Sequence, residues 1–113
     1  MPLSILNKLK SSNIVKEIVS INFDGVGDNY RLKIRARLKN NWSIDVFEHK
    51  TPDIRRYSFH VFENDKMIVR WDNAPHFSDM KTFPYHKHYK SKVLESREMT
   101  IETVLDELSN MLT

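Results

Sequence analysis

Four of the chain's five histidines, His60, His76, His86 and His88, fall between positions 60 and 88 together with Arg70 and Asp72. Imidazole titrates near pH ~6.5, so it can accept or donate a proton at neutral pH. Cleaving RNA without a metal requires a base for the 2′-hydroxyl, an acid for the leaving oxygen and a cation for the charge that grows on phosphorus. His60, His76, His86 and His88 are candidates for the proton transfers, Arg70 for the phosphate charge and Asp72 for orienting a histidine or Arg70. Lys87 adds a cation. Tyr57, Tyr85 and Phe83 add rings on which bases could stack.

The same residues suggest two other uses. His86-x-His88 projects two imidazoles to one side of an extended backbone, and His76 or Asp72 would complete a nitrogen and oxygen set suited to zinc. His-x-His is an unspecific spacing, so the expectation is no metal and no cofactor. Asp72, Asn73 and Pro75 also suit a turn whose carbonyls the histidines satisfy. No Gly-x-Ser-x-Gly is present, and Ser58 is the only serine near a strand histidine, which argues against a serine triad.

Ala74-Pro75 and Phe83-Pro84 exclude a helix around the histidines, so Arg70 to His88 reads as the end of a strand followed by a long loop. The elements on either side must hold that loop. Tyr30 to Lys39 alternates most cleanly: Tyr30, Leu32, Ile34, Ala36 and Leu38 share one face, and Arg31, Lys33, Arg35, Arg37 and Lys39 share the other. Like-facing residues on a strand repeat every ~6.8 Å, so the cations form a stripe that matches a polyanion such as RNA. Keeping an edge strand solvated is the alternative use of such a stripe.

Ile14 to Phe23 precedes it as a strand, joined by a turn over Asp24 to Asn29 that holds both glycines. Trp42 to His49 follows. A three-residue loop, Lys39 to Asn41, sets Leu38 opposite Trp42 and Ile34 opposite Val46, which keeps the apolar faces together. Glu48 then falls on the apolar parity, at a rim or a bulge. Arg55 to Phe62 and Lys66 to Asn73 are the next strands. A three-residue turn between them places Arg70 near Ser58 and Asp72 near Arg56, beside His60, with Met67, Val69 and Trp71 on the other face. Tyr89 to Leu94 is a short extended return. Helices are expected from Ser4 to Ser11, capped by Ser4, and from Thr100 to Leu112, where Ile101, Val104, Leu105, Leu108 and Met111 keep the helical period behind a Thr100 cap.

These elements describe a single α+β domain over 1–113: a meandering antiparallel sheet of about five strands, a short N-terminal helix, and a C-terminal helix on its apolar face. The 113 residues suffice for one core. Absent cysteines exclude disulfides, thiolate metal sites and cysteine nucleophiles. With no signal-peptide pattern and no apolar run of ~20 residues, the expected location is the cytoplasm. The net charge of +3 leans weakly towards anionic partners.

Arg70-Trp-Asp-Asn-Ala-Pro-His76 followed by Phe83-Pro-Tyr-His-Lys-His88 resembles the signature of the TumE-like toxins of prokaryotic type II toxin–antitoxin modules. That signature runs Arg-aromatic-Asp-Asn-Ala-Pro-His-His, then Phe-Pro-His-His-Lys-His. Tyr57-Ser-Phe-His60 is similar to the family's Tyr-x-aromatic-His strand. Phe77 and Tyr85 stand where the family often has histidine, so neither position is an obligatory proton carrier here. The resemblance implies a toxin neutralised by a cognate antitoxin, often one with a DNA-binding domain. The reaction is argued by analogy with other small basic toxins. The expectation is a metal-independent ribonuclease, with His60, Arg70, Asp72, His76, His86 and His88 catalytic and Arg31, Lys33, Arg35, Arg37, Lys39, Tyr57 and Lys87 on the RNA. The rivals are a non-catalytic module binding nucleic acid or antitoxin, and a metal-dependent nuclease. No membrane partner is expected, and the sequence leaves oligomerisation open.

Overall fold

The computed structural model describes residues 2–113. Its elements are α1 (Pro2–Ser11), β1 (Val15–Val26), β2 (Asn29–Leu38), β3 (Ser43–Lys50), β4 (Arg55–Glu63), β5 (Lys66–Asp72), β6 (His86–Tyr89), β7 (Lys92–Glu95) and α2 (Ile101–Met111). The strands form one seven-stranded sheet in chain order, each antiparallel to the next. The fold is therefore α+β as expected, with seven strands instead of about five. The two added strands are β6 and β7, and β6 carries His86, Lys87 and His88 out of the expected loop.

Alternation decides which face is covered. In β2, Tyr30, Leu32, Ile34, Ala36 and Leu38 are buried and the residues between them exposed. Ile44 and Val46 of β3, Tyr57, Phe59 and Val61 of β4, and Val69 and Trp71 of β5 continue the apolar face. Ile5 and Leu9 of α1, and Met99, Ile101, Val104 and Leu108 at α2, join them in one cluster. Each such side chain stabilises the fold by roughly 1.5–3 kcal/mol when fully buried. The Thr100 cap is present: its side chain accepts from Thr103 N–H while Thr103 Oγ1 accepts from Thr100 N–H. Ser4 lies inside α1, which starts at Pro2. Among the described residues no helix is long and apolar enough to cross a membrane.

The hairpins set the register. Gly25 has φ 141° and faces Tyr30 so closely that a Cβ there would lie 2.2 Å from the Asn29 carbonyl oxygen, so this pair requires glycine. The β2–β3 turn follows the expected register, pairing Ala36 with Ile44 and Ile34 with Val46, and Asn40 and Asn41 take left-handed φ. The β4–β5 turn differs. Glu63 pairs with Lys66 across two residues, and Ile68 is then skipped as a bulge, so that Val61 pairs with Val69. The bulge restores the parity that the short turn would have reversed. Arg70 thus lies opposite His60 and Asp72 opposite Ser58, one pair along from the expected partners. Met67, before the bulge, is exposed and does not share the face of Val69 and Trp71.

Glu48 is buried on the apolar face without a bulge. Tyr30 Oη donates to its Oε1, and Arg55 Nε donates to its Oε2 at 2.7 Å. Arg55 also donates to the Met99 carbonyl at 3.0 Å and lies over the Tyr57 ring at 4.4 Å. This closed cluster fixes the lead-in to α2.

Candidate functional site

Both helices pack on the apolar face, which leaves the other face of the sheet as a broad polar surface. Cross-strand register assembles it in rows. One row runs Arg35, Asp45, His60, Arg70, His88 through β2 to β6. The next runs Lys33, Phe47, Ser58, Asp72, His86. Residues far apart in the chain thus meet because strand neighbours lie ~4.8 Å apart.

At the β5–β6 end of these rows the Asp72 carboxylate is almost fully buried. Its Oδ1 accepts from Ala74 N–H at 3.1 Å and meets His86 Nε2 at 2.8 Å. Its Oδ2 lies 3.6 Å from His88 Nε2 and 3.0 Å from Arg70 Nε. The Arg70 contact is one of charge alone, because Nε is buried there without a hydrogen-bond partner. His86 Nδ1 stands 2.9 Å from the Pro84 carbonyl oxygen. The Phe77 ring presses edge-on against His86, 4.8 Å between centroids, and reaches His88 at 6.0 Å.

The connection from Asn73 to Tyr85 is held in place. The Asn73 side chain accepts from Tyr57 N–H at 2.9 Å and donates to the Arg55 carbonyl at 2.7 Å, so it extends the ladder where β5 ends. Backbone turns link Phe77 to Met80 and Met80 to Phe83, and Thr82 Oγ1 bonds the Tyr85 carbonyl at 2.8 Å. The Phe83–Pro84 peptide is cis.

His60 sits between Asp45 and Arg70, half-buried. Burial, and then the positive charge of Arg70, push its pKa below the usual 6.5. Burial likewise lowers His88, against the opposing pull of Asp72. His76 is exposed beside Phe77, outside the Asp72 contacts. The structure therefore brings together Arg70, Asp72, His86 and His88, places His60 next to them, and leaves His76 at the margin.

Two expected RNA contacts lie elsewhere. Tyr57 is buried on the apolar face, where its Oη accepts from Met99 N–H. Lys87 faces the helices: its Nζ reaches Glu107 at 3.2 Å and lies 5.4 Å from the centre of the Trp71 ring. A residue between two histidines of one strand must point away from them. The cation stripe is present but partly neutralised. Arg35 makes a two-pronged pair with Asp45 at 2.7 and 2.9 Å, and Arg37 meets Glu17 at 3.3 Å. Among the described residues Arg31 and Lys33 have no such partner, and Lys39 lies in the turn after β2. Among the described residues, strands β3 and β4 add the rings of Phe47 and Phe62 to this face, with Arg35 over Phe62 at 5.2 Å. A depression of about 210 Å³ lined by Arg35, Asp45, His60 and Phe62 opens there. Phe47, Phe62 and the Asp45 pairing were not picked out from sequence, although the Ala36–Ile44 register already implies Arg35 opposite Asp45.

Over residues 5–112 the chain matches the family model described as Toxin TumE. Neither a curated protein nor a solved structure matches it.

Proposed function

The chain belongs to the TumE toxin family, and on that premise we propose that it binds RNA across the open polar face and cleaves it beside Arg70 to arrest growth. The observation that carries the reading is the row His60–Arg70–His88, an arginine set between two imidazoles on one exposed face. A phosphate on the Arg70 guanidinium has His60 on one side and the Asp72 cluster on the other. Burial and Arg70 disfavour the charged form of His60, which suits it to take the 2′-hydroxyl proton. The 2′-oxygen then attacks phosphorus to close a 2′,3′-cyclic phosphate, Arg70 neutralises the charge that builds on the phosphate oxygens, and the leaving 5′-oxygen departs on the side of Asp72 and takes its proton from water there.

Arg31 and Lys33 supply the unneutralised cations of the stripe, and Phe47 and Phe62 the rings for base stacking. Family membership implies a cognate antitoxin as partner. We assign it the role of masking this polar face, with a DNA-binding domain on the antitoxin.

Incubating purified protein with RNA, with and without added divalent metal, tests the reaction. The expected result is cleavage that falls by about 10²-fold or more in His60→Ala and in Arg70→Ala. Intact RNA under every condition, or cleavage unchanged in both variants, contradicts it.

A further inference from the structure

We infer that Asp72, His86 and His88 form a binding site for a divalent transition-metal ion of the zinc class. The donor geometry carries this on its own; the ion's part in cleavage rests on the RNA reading above. It follows the metal-dependent rival named from sequence instead of the metal-free expectation.

The strand period sends His86 and His88 to the same side of β6, and the β5–β6 register puts Asp72 opposite His86. The ligand atoms of all three lie within 4.8 Å of one another. A zinc ion bonds nitrogen at ~2.0–2.1 Å and carboxylate oxygen at ~2.0–2.2 Å, so its ligand atoms stand roughly 3–4 Å apart. The 3.6 Å between Asp72 and His88 falls within that spacing, and the 2.8 Å between Asp72 and His86 lies just short of it.

The surroundings of His86 are those of a metal ligand. Its Nδ1 faces the Pro84 carbonyl, which can only accept, so a ring proton on Nδ1 would be donated there. A second bond of this kind fixes the ring and aims the Nε2 lone pair at the metal. Here that lone pair aims at the Asp72 carboxylate, an acceptor facing an acceptor inside a buried site. Something positive must lie between them. A second proton on the ring would serve, but a metal would serve His88 as well, which sits too far from Asp72 for a hydrogen bond. Ala74 N–H orients the carboxylate and Phe77 walls the imidazoles from the side.

Two nitrogens and a carboxylate favour zinc, cobalt or manganese over magnesium, which prefers oxygen and retained water. Three protein ligands leave a coordination position free, on the side where the His88 side chain is 26 % exposed. An ion there would polarise a phosphate oxygen or neutralise a leaving oxygen. Phe77 borders the site, its ring edge-on to both imidazoles.

The test uses untagged full-length protein, stripped with chelator and then freed of it. Cobalt(II) is titrated in and followed by its visible absorption bands, and zinc(II) by calorimetry. The expected result is one ion per chain. Affinity should fall about 100-fold or more in Asp72→Asn and in His88→Gln, and rise in Phe77→His, which adds an imidazole beside the two already there. His88→Gln is the decisive variant because His88 is the least buried of the ligands, and circular dichroism shows whether each variant is folded. No stoichiometric binding by folded wild-type protein overturns the inference, as does binding unchanged in folded His88→Gln. Cleavage of RNA without metal binding would remove the ion and leave the RNA reading; binding without cleavage would do the reverse.

Discussion

The molecule buries two carboxylates where alternation alone predicts apolar or solvent-facing residues, and they are used differently. Glu48, on the helix-covered face, has both oxygens filled by Tyr30 and Arg55, and Arg55 spends its remaining donors on Met99 and Glu98. Asp72, on the open face, gathers Arg70, His86 and His88 but leaves donors and lone pairs without matching partners. One cluster is closed and holds α2 to the sheet. The other is held rigidly by β5, β6 and Asn73 yet stays chemically unsatisfied. A buried charge that is fully paired reports on architecture, whereas one left with unmatched groups beside an open face reports on a ligand.

The difference can be broken from either side. Arg55→Ala removes the counter-charge of a buried glutamate, and chemical denaturation should show a loss of about 3–5 kcal/mol. Equal loss in Arg70→Ala would erase the contrast, because Arg70 is half-exposed and makes no hydrogen bond to Asp72. Its expected effect is instead on cleavage, about 10²–10³-fold, with stability changed little. Thr100→Ala, which uncaps α2 on the closed side, should cost about 1 kcal/mol in the same denaturation series and leave cleavage unaltered.

Acid and alkali should separate the two faces. The fold lowers the His60 pKa below 6.5, chiefly by burial, so the unfolded chain takes up the proton first as pH falls. The stability His60 contributes is complete above pH 6.5 and is lost as pH drops through the folded value, and His60→Gln should flatten that decline. Tyr30 behaves oppositely. Burial and the bond to Glu48 raise its pKa above the usual 10.0. Its contribution is complete below pH 10 and is lost as pH rises through the folded value; Tyr30→Phe should weaken the alkaline dependence, leaving the part carried by Tyr57, which burial also raises. Melting curves across pH check both. The weakest effect expected is on RNA affinity. Reversing Arg31 and Lys33 should lower the salt dependence of binding by about one unit of log–log slope each, and reversing Arg35 by less, since Asp45 already offsets it.

Much of this was legible from residue types and parity. β2 alternates without interruption, so its two faces, and the Ala36–Ile44 register that follows, could be read directly. The cluster residues were readable as types, and Tyr57-Ser-Phe-His60 to His88 as a family signature. What was not legible has physical reasons. The Ile68 bulge carries no glycine or proline to mark it, and the short Asn64–Asp65 turn would alone have reversed Arg70. β6 and β7 are four residues each, and β6 offers His-Lys-His-Tyr in place of an apolar alternation. Their turn, Lys90-Ser91, takes left-handed φ without glycine or asparagine. Tyr57 and Lys87 were chosen for their chemistry, while the parity of their own strands placed them under the helices. Glu48 shows the limit of alternation, since only the fold reveals that Tyr30 and Arg55 await it.

The open face beside Arg70 is proposed to carry the toxic activity. Induced expression of wild type and Arg70→Ala at matched levels, scored for growth and for integrity of cellular RNA, tests it most directly. The expected result is growth arrest with RNA fragmentation for wild type, and growth with intact RNA for the folded variant. Equal arrest by both, or arrest by wild type with RNA intact, would contradict it.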